Sequence, residues 1–254
     1  MENFKRAVLF FVIILIHSCT KNSSTKKNPA SDRKRLPESI ASQKASIEDK
    51  PENKYQNTDF DVTTGSISDI VPKKYEIQYE TEGDLNGDGW ADAVLVLRKK
   101  SDTLASRTIL VLLKNKNQSF RLDQISTTVF PDEYNEAGYK KYDPEDITIE
   151  KGILKINLYN PAPYGNLFSH FKYLNNDLVL IYIETYNVGA GSWQSLYYKP
   201  LKGKFTQEVT HTIEEEMPSK NKNIQVKKQR FLFDQSSPDE IISKVYSEHD
   251  VSDT

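Results

Sequence analysis

The chain has 254 residues, 34 Lys and Arg against 36 Asp and Glu, and a formal net charge of -2. That balance provides no basic field for nucleic acid, so nucleic-acid binding is excluded as a primary role. A hydrophobic fraction of 37% with 28% charged residues leaves room for unfolded stretches, while 14 Tyr and 11 Phe against 2 Met point to a β-rich core.

The first segment is a targeting element. Lys5 and Arg6 precede an unbroken apolar run from Ala7 to Ile16. Such a run is too short to span a bilayer as a helix and suits the core of a signal peptide. Ile16-His17-Ser18-Cys19 follows, and Cys19 is the chain's single cysteine. This arrangement resembles a bacterial lipobox: an aliphatic residue at -3, a small residue at -1, then Cys. The resemblance implies cleavage after residue 18, lipidation of Cys19, and a membrane-anchored protein of the cell envelope, with the outer membrane as the expected location. No second cysteine remains for a disulfide.

Residues 19–66 are rich in Lys, Ser, Asn, Glu and Pro, with scattered apolar residues and no aromatic before Tyr55. They read as a lipid-anchored disordered linker. The folded domain is expected over 67–247, followed by a short tail, 248–254. Tyr75-Glu76-Ile77-Gln78-Tyr79 alternates with period 2 and predicts a half-buried strand. Ala93–Leu97 and Thr108–Leu113 are apolar on both faces, as in strands covered on both sides. Phe120–Ile125 continues the meander.

Between the first two strands lies Gly83-Asp84-Leu85-Asn86-Gly87-Asp88-Gly89-Trp90-Ala91-Asp92. Asp84, Asn86 and Asp88 stand at positions 1, 3 and 5 of a calcium loop. Gly89 takes the turn at position 6, Trp90 offers a backbone carbonyl at position 7, and Asp92 offers a carboxylate at position 9. Carboxylates about 4 Å apart repel by roughly 4 kcal/mol per pair at an effective dielectric near 20, and a divalent cation removes that cost. Position 12 is Leu95 rather than the Glu of an EF-hand, and a strand follows instead of a helix. The pattern resembles the calcium loops of integrin-type β-propeller repeats, the FG-GAP and VCBS families. The likeness extends from Gly83 to about Ile125, including Ile109–Leu113, Asn115 and Phe120. It implies a Ca²⁺ site at Asp84, Asn86, Asp88, Trp90 and Asp92. The chain holds one copy, where full propellers carry several. For an extracytoplasmic domain without disulfides, calcium is a natural staple.

Further on, Ile147–Ile149 and Ile153–Leu158 flank a tight turn, Phe168–Tyr173 and Leu178–Tyr186 form another hairpin, and Asn187–Gly191 is expected to be a flexible loop. Trp193–Tyr198, Phe205–Ile213 and Ile224–Phe233 complete the strands. Ser237-Pro238-Asp239-Glu240 resembles a capping box opening a short helix through about Ser247. The expected fold is all-β: a small propeller-like or barrel-like antiparallel meander, with a β-sandwich as the alternative, and a short C-terminal helix.

Neither His170 nor His211 sits in a nucleophile-elbow or zinc-site pattern, so the chain reads as non-catalytic. Trp193 is expected in the core, since large aromatics are usually buried; the other reading makes Tyr164, Tyr186 and Trp193 exposed anchors for a partner. Fold-level similarity to periplasmic β-propeller inhibitors makes a cell-wall hydrolase the first candidate partner, with an adhesive role toward glycan or protein as the second.

Overall fold

The computed structural model describes residues 59–60, 64–160 and 162–249. The expected signal peptide, Cys19, most of the linker and the tail beyond His249 lie outside the described residues. Among the described residues, twelve strands form two antiparallel sheets. The first carries β1 (Thr64–Gly65), β2 (Tyr75–Gly83), β3 (Asp92–Lys99), β4 (Thr108–Lys114) and β5 (Phe120–Ser126) in the order β1-β5-β4-β3-β2. The second contains β6 (Glu145–Glu150), β7 (Ile153–Leu158), β8 (Asn166–Leu174), β9 (Asp177–Gly189), β10 (Ser192–Lys199), β11 (Lys204–His211) and β12 (Ser219–Gln225) as an unbroken meander. A short helix α1 (Ile67–Ile70) precedes β2, and α2 (Pro238–His249) ends the described chain. The expected all-β class with a C-terminal helix is therefore present. Among the described residues neither sheet closes on itself as a barrel, and no propeller ring is formed.

Two apolar clusters explain the double-sided strands. Val94, Val96, Ile109, Val111 and Leu113 pack into one core with Leu154, Ile156, Leu158, Phe171 and Ile183 of the second sheet and Ile242 and Val245 of α2. The alternate residues Ala93, Leu95, Leu97, Leu110 and Leu112 face the other way. They pack with Phe60, Ile70 and Tyr75. Both faces of β3 and β4 are thus covered, which is what a continuous apolar run requires.

The edges β2 and β6 meet. A Cβ on Gly83 would stand 2.7 Å from the Ile149 Cγ2, so this approach demands glycine. The Tyr79 hydroxyl donates to Glu145 Oε2 at 2.8 Å, and burial together with Glu145 pushes that phenol up to about 12.

The chain differs from the sequence expectation at three places. Order begins before Ile67: Phe60 is buried and stacks on Tyr75, and β1 pairs with β5. The last strand is Ser219–Gln225, not Ile224–Phe233. It is polar and exposed because it is an edge paired only with β11. Residues 226–232 instead run past the short turn at Pro200–Lys202, where Gln229 N–H donates to the Pro200 carbonyl, and along β9, where the Phe231 carbonyl accepts the Leu180 N–H. Finally, Asn187–Gly189 belongs to β9, leaving only Ala190-Gly191 as the turn.

Candidate metal loop and aromatic face

The loop opens where Gly83 pairs with Asp92, the last pair between β2 and β3. Its shape follows from side chains accepting backbone N–H groups. Asp84 accepts Gly87 N on Oδ1 at 2.7 Å and Gly89 N on Oδ2 at 3.0 Å. Asn86 Oδ1 accepts Asp88 N, and Asp88 Oδ1 accepts Trp90 N, each at 2.9 Å; these are successive Asx turns. The Asn86 amide donates to Asp88 Oδ2 at 3.0 Å. Gly87 and Gly89 have φ of 83° and 86°, and nothing lies within 4 Å of a Cβ built on either. Glycine is needed there for its backbone freedom and not for space. Leu85 points inward to the shared core, and the β6–β7 turn sits against the loop, with Gly152 close to the Leu85 carbonyl.

Asp92 behaves differently from the other three. It is fully buried. Its Oδ2 accepts Leu85 N at 2.9 Å and Asn86 N at 3.3 Å, while Oδ1 accepts Lys114 N at 3.0 Å. The carboxylate therefore ties the start of the loop to the end of β4. Burial raises its pKa; the three amides oppose that rise, and Asp88 adds to it.

Among the described residues no three His, Cys, Asp or Glu side chains already converge as a metal cluster. The donor chemistry nonetheless fits calcium. Asp84, Asn86 and Asp88 bring hard oxygens to one short loop. Each of these oxygens accepts a single described hydrogen bond, which leaves lone-pair capacity. Trp90 exposes its side chain. Beside the loop lies a cleft of about 430 Å³ lined by Asp84, Asn86, Ile149, Lys151, Lys172 and Tyr173.

The three aromatic candidates separate. Trp193 is 39% exposed, so the expected burial in the core is not found. It stands opposite Val188, two residues along β9 from Tyr186, which shares its face and is half-buried. Tyr164 is exposed but engages the loop before β6: its hydroxyl accepts the Asn135 amide at 2.8 Å, and its ring lies 6.4 Å from that of Tyr142. The structure therefore brings Trp193 and Tyr186 to one surface and commits Tyr164 elsewhere.

The same face carries a groove that the sequence reading did not single out. It measures about 320 Å³ and is lined by Tyr182, Tyr197, Lys199, Thr206, Glu208 and Asn223. Alternation along β9 and β10 was the available signal, since residues two apart share a face. His170 lies beside it with its ring 5.1 Å from Tyr182. Burial lowers the pKa of this imidazole, Lys155 lowers it further, and Glu150 opposes both.

Comparison with known proteins returned no matching family, no matching curated protein and no matching solved structure.

Proposed function

We propose that this chain is a lipid-anchored, extracytoplasmic calcium-binding protein that acts as a non-catalytic binding module, with a cell-wall hydrolase as its target. The observation that carries the reading is the loop of Asp84, Asn86 and Asp88, whose exposed side-chain oxygens gather around successive Asx turns at the mouth of β3. In this reading those three side chains and the Trp90 carbonyl hold the cation, with Asp92 behind them. Calcium supplies charge neutralisation for adjacent carboxylates. The four-stranded meander β2–β5 is the part a propeller-type repeat would supply, and the second sheet presents the binding face. Cys19 tethers the domain to the envelope.

The test is thermal unfolding of the mature domain with calcium and with EDTA. Calcium is expected to raise the melting temperature of the wild type, and Asp84→Ala or Asp88→Ala is expected to abolish that difference. An EDTA-insensitive wild type would remove the cation. Cys19→Ser should move the protein to the soluble fraction, and a muramidase inhibition assay tests the target. A second reading, glycan adhesion, draws on the groove with Tyr182, Tyr197 and Asn223, because sugars present apolar faces to rings and hydroxyls to amides. Retention on a peptidoglycan or polysaccharide column without hydrolase inhibition would favour it.

A further inference from the structure

At one end of the second sheet the β9–β10 and β11–β12 hairpin tips lie side by side. Thr212 N donates to the Gly191 carbonyl at 2.9 Å, and His211 N donates to the Pro218 carbonyl at 3.0 Å. The Ile213 side chain rests on Gly191, where a Cβ would come within 2.5 Å of its Cδ1. Four of the large apolar side chains most exposed to water collect at these tips: Val188, Trp193, Ile213 at 84% exposure and Met217 at 49%. Trp193 pairs with Val188 on one side and Thr210 on the other, so the four belong to one end of the sheet. Met217 has φ of 43°, a left-handed conformation that a non-glycine residue rarely adopts, in the turn closed by Met217 N on the Glu214 carbonyl. A costly backbone that displays an apolar side chain to water suits a contact surface.

The rim fixes the kind of partner. Glu214, Glu215 and Glu216 form the turn, all exposed, and none makes an ion pair with a described residue. The nearest lysines on β12, Lys220 and Lys222, are paired with Val209 and Gln207. Gln207 is buried, so those lysines lie on the face opposite Trp193. An apolar centre inside an acidic rim does not suit an anionic membrane surface. It complements a protein that carries an apolar pocket ringed by Lys and Arg.

We infer that the paired hairpin tips, centred on Trp193 and Ile213 and edged by Glu214–Glu216, dock a basic protein. This deepens the binding-module reading by naming its surface and the charge of its partner. It does not depend on the calcium ion.

The experiment places a photo-crosslinking amino acid at Ile213 or Met217 in the full-length protein in intact cells, with Lys116 in the β4–β5 turn as control. The expected result is a discrete crosslink from 213 and 217 but not 116, to one protein whose surface is basic. Its yield should fall about tenfold with Glu214→Lys, Glu215→Lys and Glu216→Lys combined, or in high salt. Trp193→Ala should weaken binding of the captured protein about thirtyfold or more. These sites are exposed, and unchanged circular dichroism would confirm that the variants fold. Crosslinks to lipid, to a second copy of this chain or to an acidic protein, equal yields from position 116, or no crosslink would each overturn the inference. A basic partner that is not a cell-wall hydrolase would uphold it while removing the hydrolase target.

Discussion

Removing one member of the Arg107–Glu145 pair should destabilise the domain far more than removing both. The two side chains are 1% and 0% exposed. Arg107 donates from Nη1 to Oε2 at 2.7 Å and from Nη2 to Oε1 at 2.9 Å, a two-pronged fork, and Nη2 also reaches the Pro131 carbonyl at 3.1 Å. Phe130 lies under the guanidinium, 4.3 Å from ring centre to Cζ, and Tyr79 donates to the same carboxylate. Glu145→Ala leaves a buried cation with one carbonyl and a ring, an imbalance that costs about 3–5 kcal/mol. At about 2–4 °C per kcal/mol for a domain of this size, the melting temperature should drop by about 6–20 °C. Arg107→Met with Glu145→Leu removes both charges while keeping apolar volume, so the double variant should fall within about 2 kcal/mol of the wild type. Urea unfolding followed by circular dichroism measures wild type, Arg107→Met, Glu145→Leu and the double variant, the four corners of the cycle, alongside Glu145→Ala. If the double variant is as unstable as Glu145→Ala, desolvation is not the controlling cost and the pair contributes net attraction.

His170 gives a pH dependence with a definite sign. Its pKa lies below the ordinary 6.5 because of burial and then Lys155, so the fold favours the neutral ring. Its contribution is complete above 6.5 and is lost as pH falls below that value toward the lower folded pKa. Urea midpoints at pH 7 and pH 5 should differ more for the wild type than for His170→Phe, and equal differences would count against the assignment. Gly83→Ala drives a methyl to 2.7 Å from the Ile149 Cγ2 and 2.8 Å from its Cβ and should lower urea stability by about 1–3 kcal/mol; a variant as stable as the wild type would refute the close approach. Asp92→Asn leaves a backbone N–H facing an amide NH₂ and should cost about 1–3 kcal/mol even in EDTA. Asp92→Asn that is silent in EDTA but abolishes a calcium response would make Asp92 a ligand rather than a latch.

Where burial alone decides structure, the sequence was legible. The runs Ala93–Leu97 and Thr108–Leu113 announce strands covered on both faces, and the structure supplies a core on each side. Edges and overhangs were less legible. Strand β12 pairs through its backbone with polar side chains, so no hydrophobic period marks it. Phe60 reaches the core as a single apolar residue in a polar stretch, too sparse to make a pattern. Trp193 follows the strand period correctly yet lies beyond the core at a hairpin end, where alternation places a side chain on a face but cannot say whether anything covers it. The Arg107–Glu145 pair spans 38 residues and joins elements from both sheets, so only the fold reveals it.

Asp92 shows the same limit within the β2–β3 loop itself. A carboxylate at that spacing after Asp84, Asn86 and Asp88 suits a cation or the backbone equally, because both can be served by its oxygen acceptors near the loop's end. The distinction lies in Lys114, whose N–H comes from a strand 22 residues away and claims Oδ1. Leu85 and Asn86 claim Oδ2. One side chain thus joins the β2–β3 loop to β4. The loop that offers oxygens outward to solvent is fastened inward by the same kind of chemistry, with N–H groups taking the place of a cation. Any ligand that draws Asp84, Asn86 and Asp88 together therefore acts on a loop already fixed to the core strand beside it. Its effect on stability should reach β3 and β4 through Asp92 rather than remain at the surface.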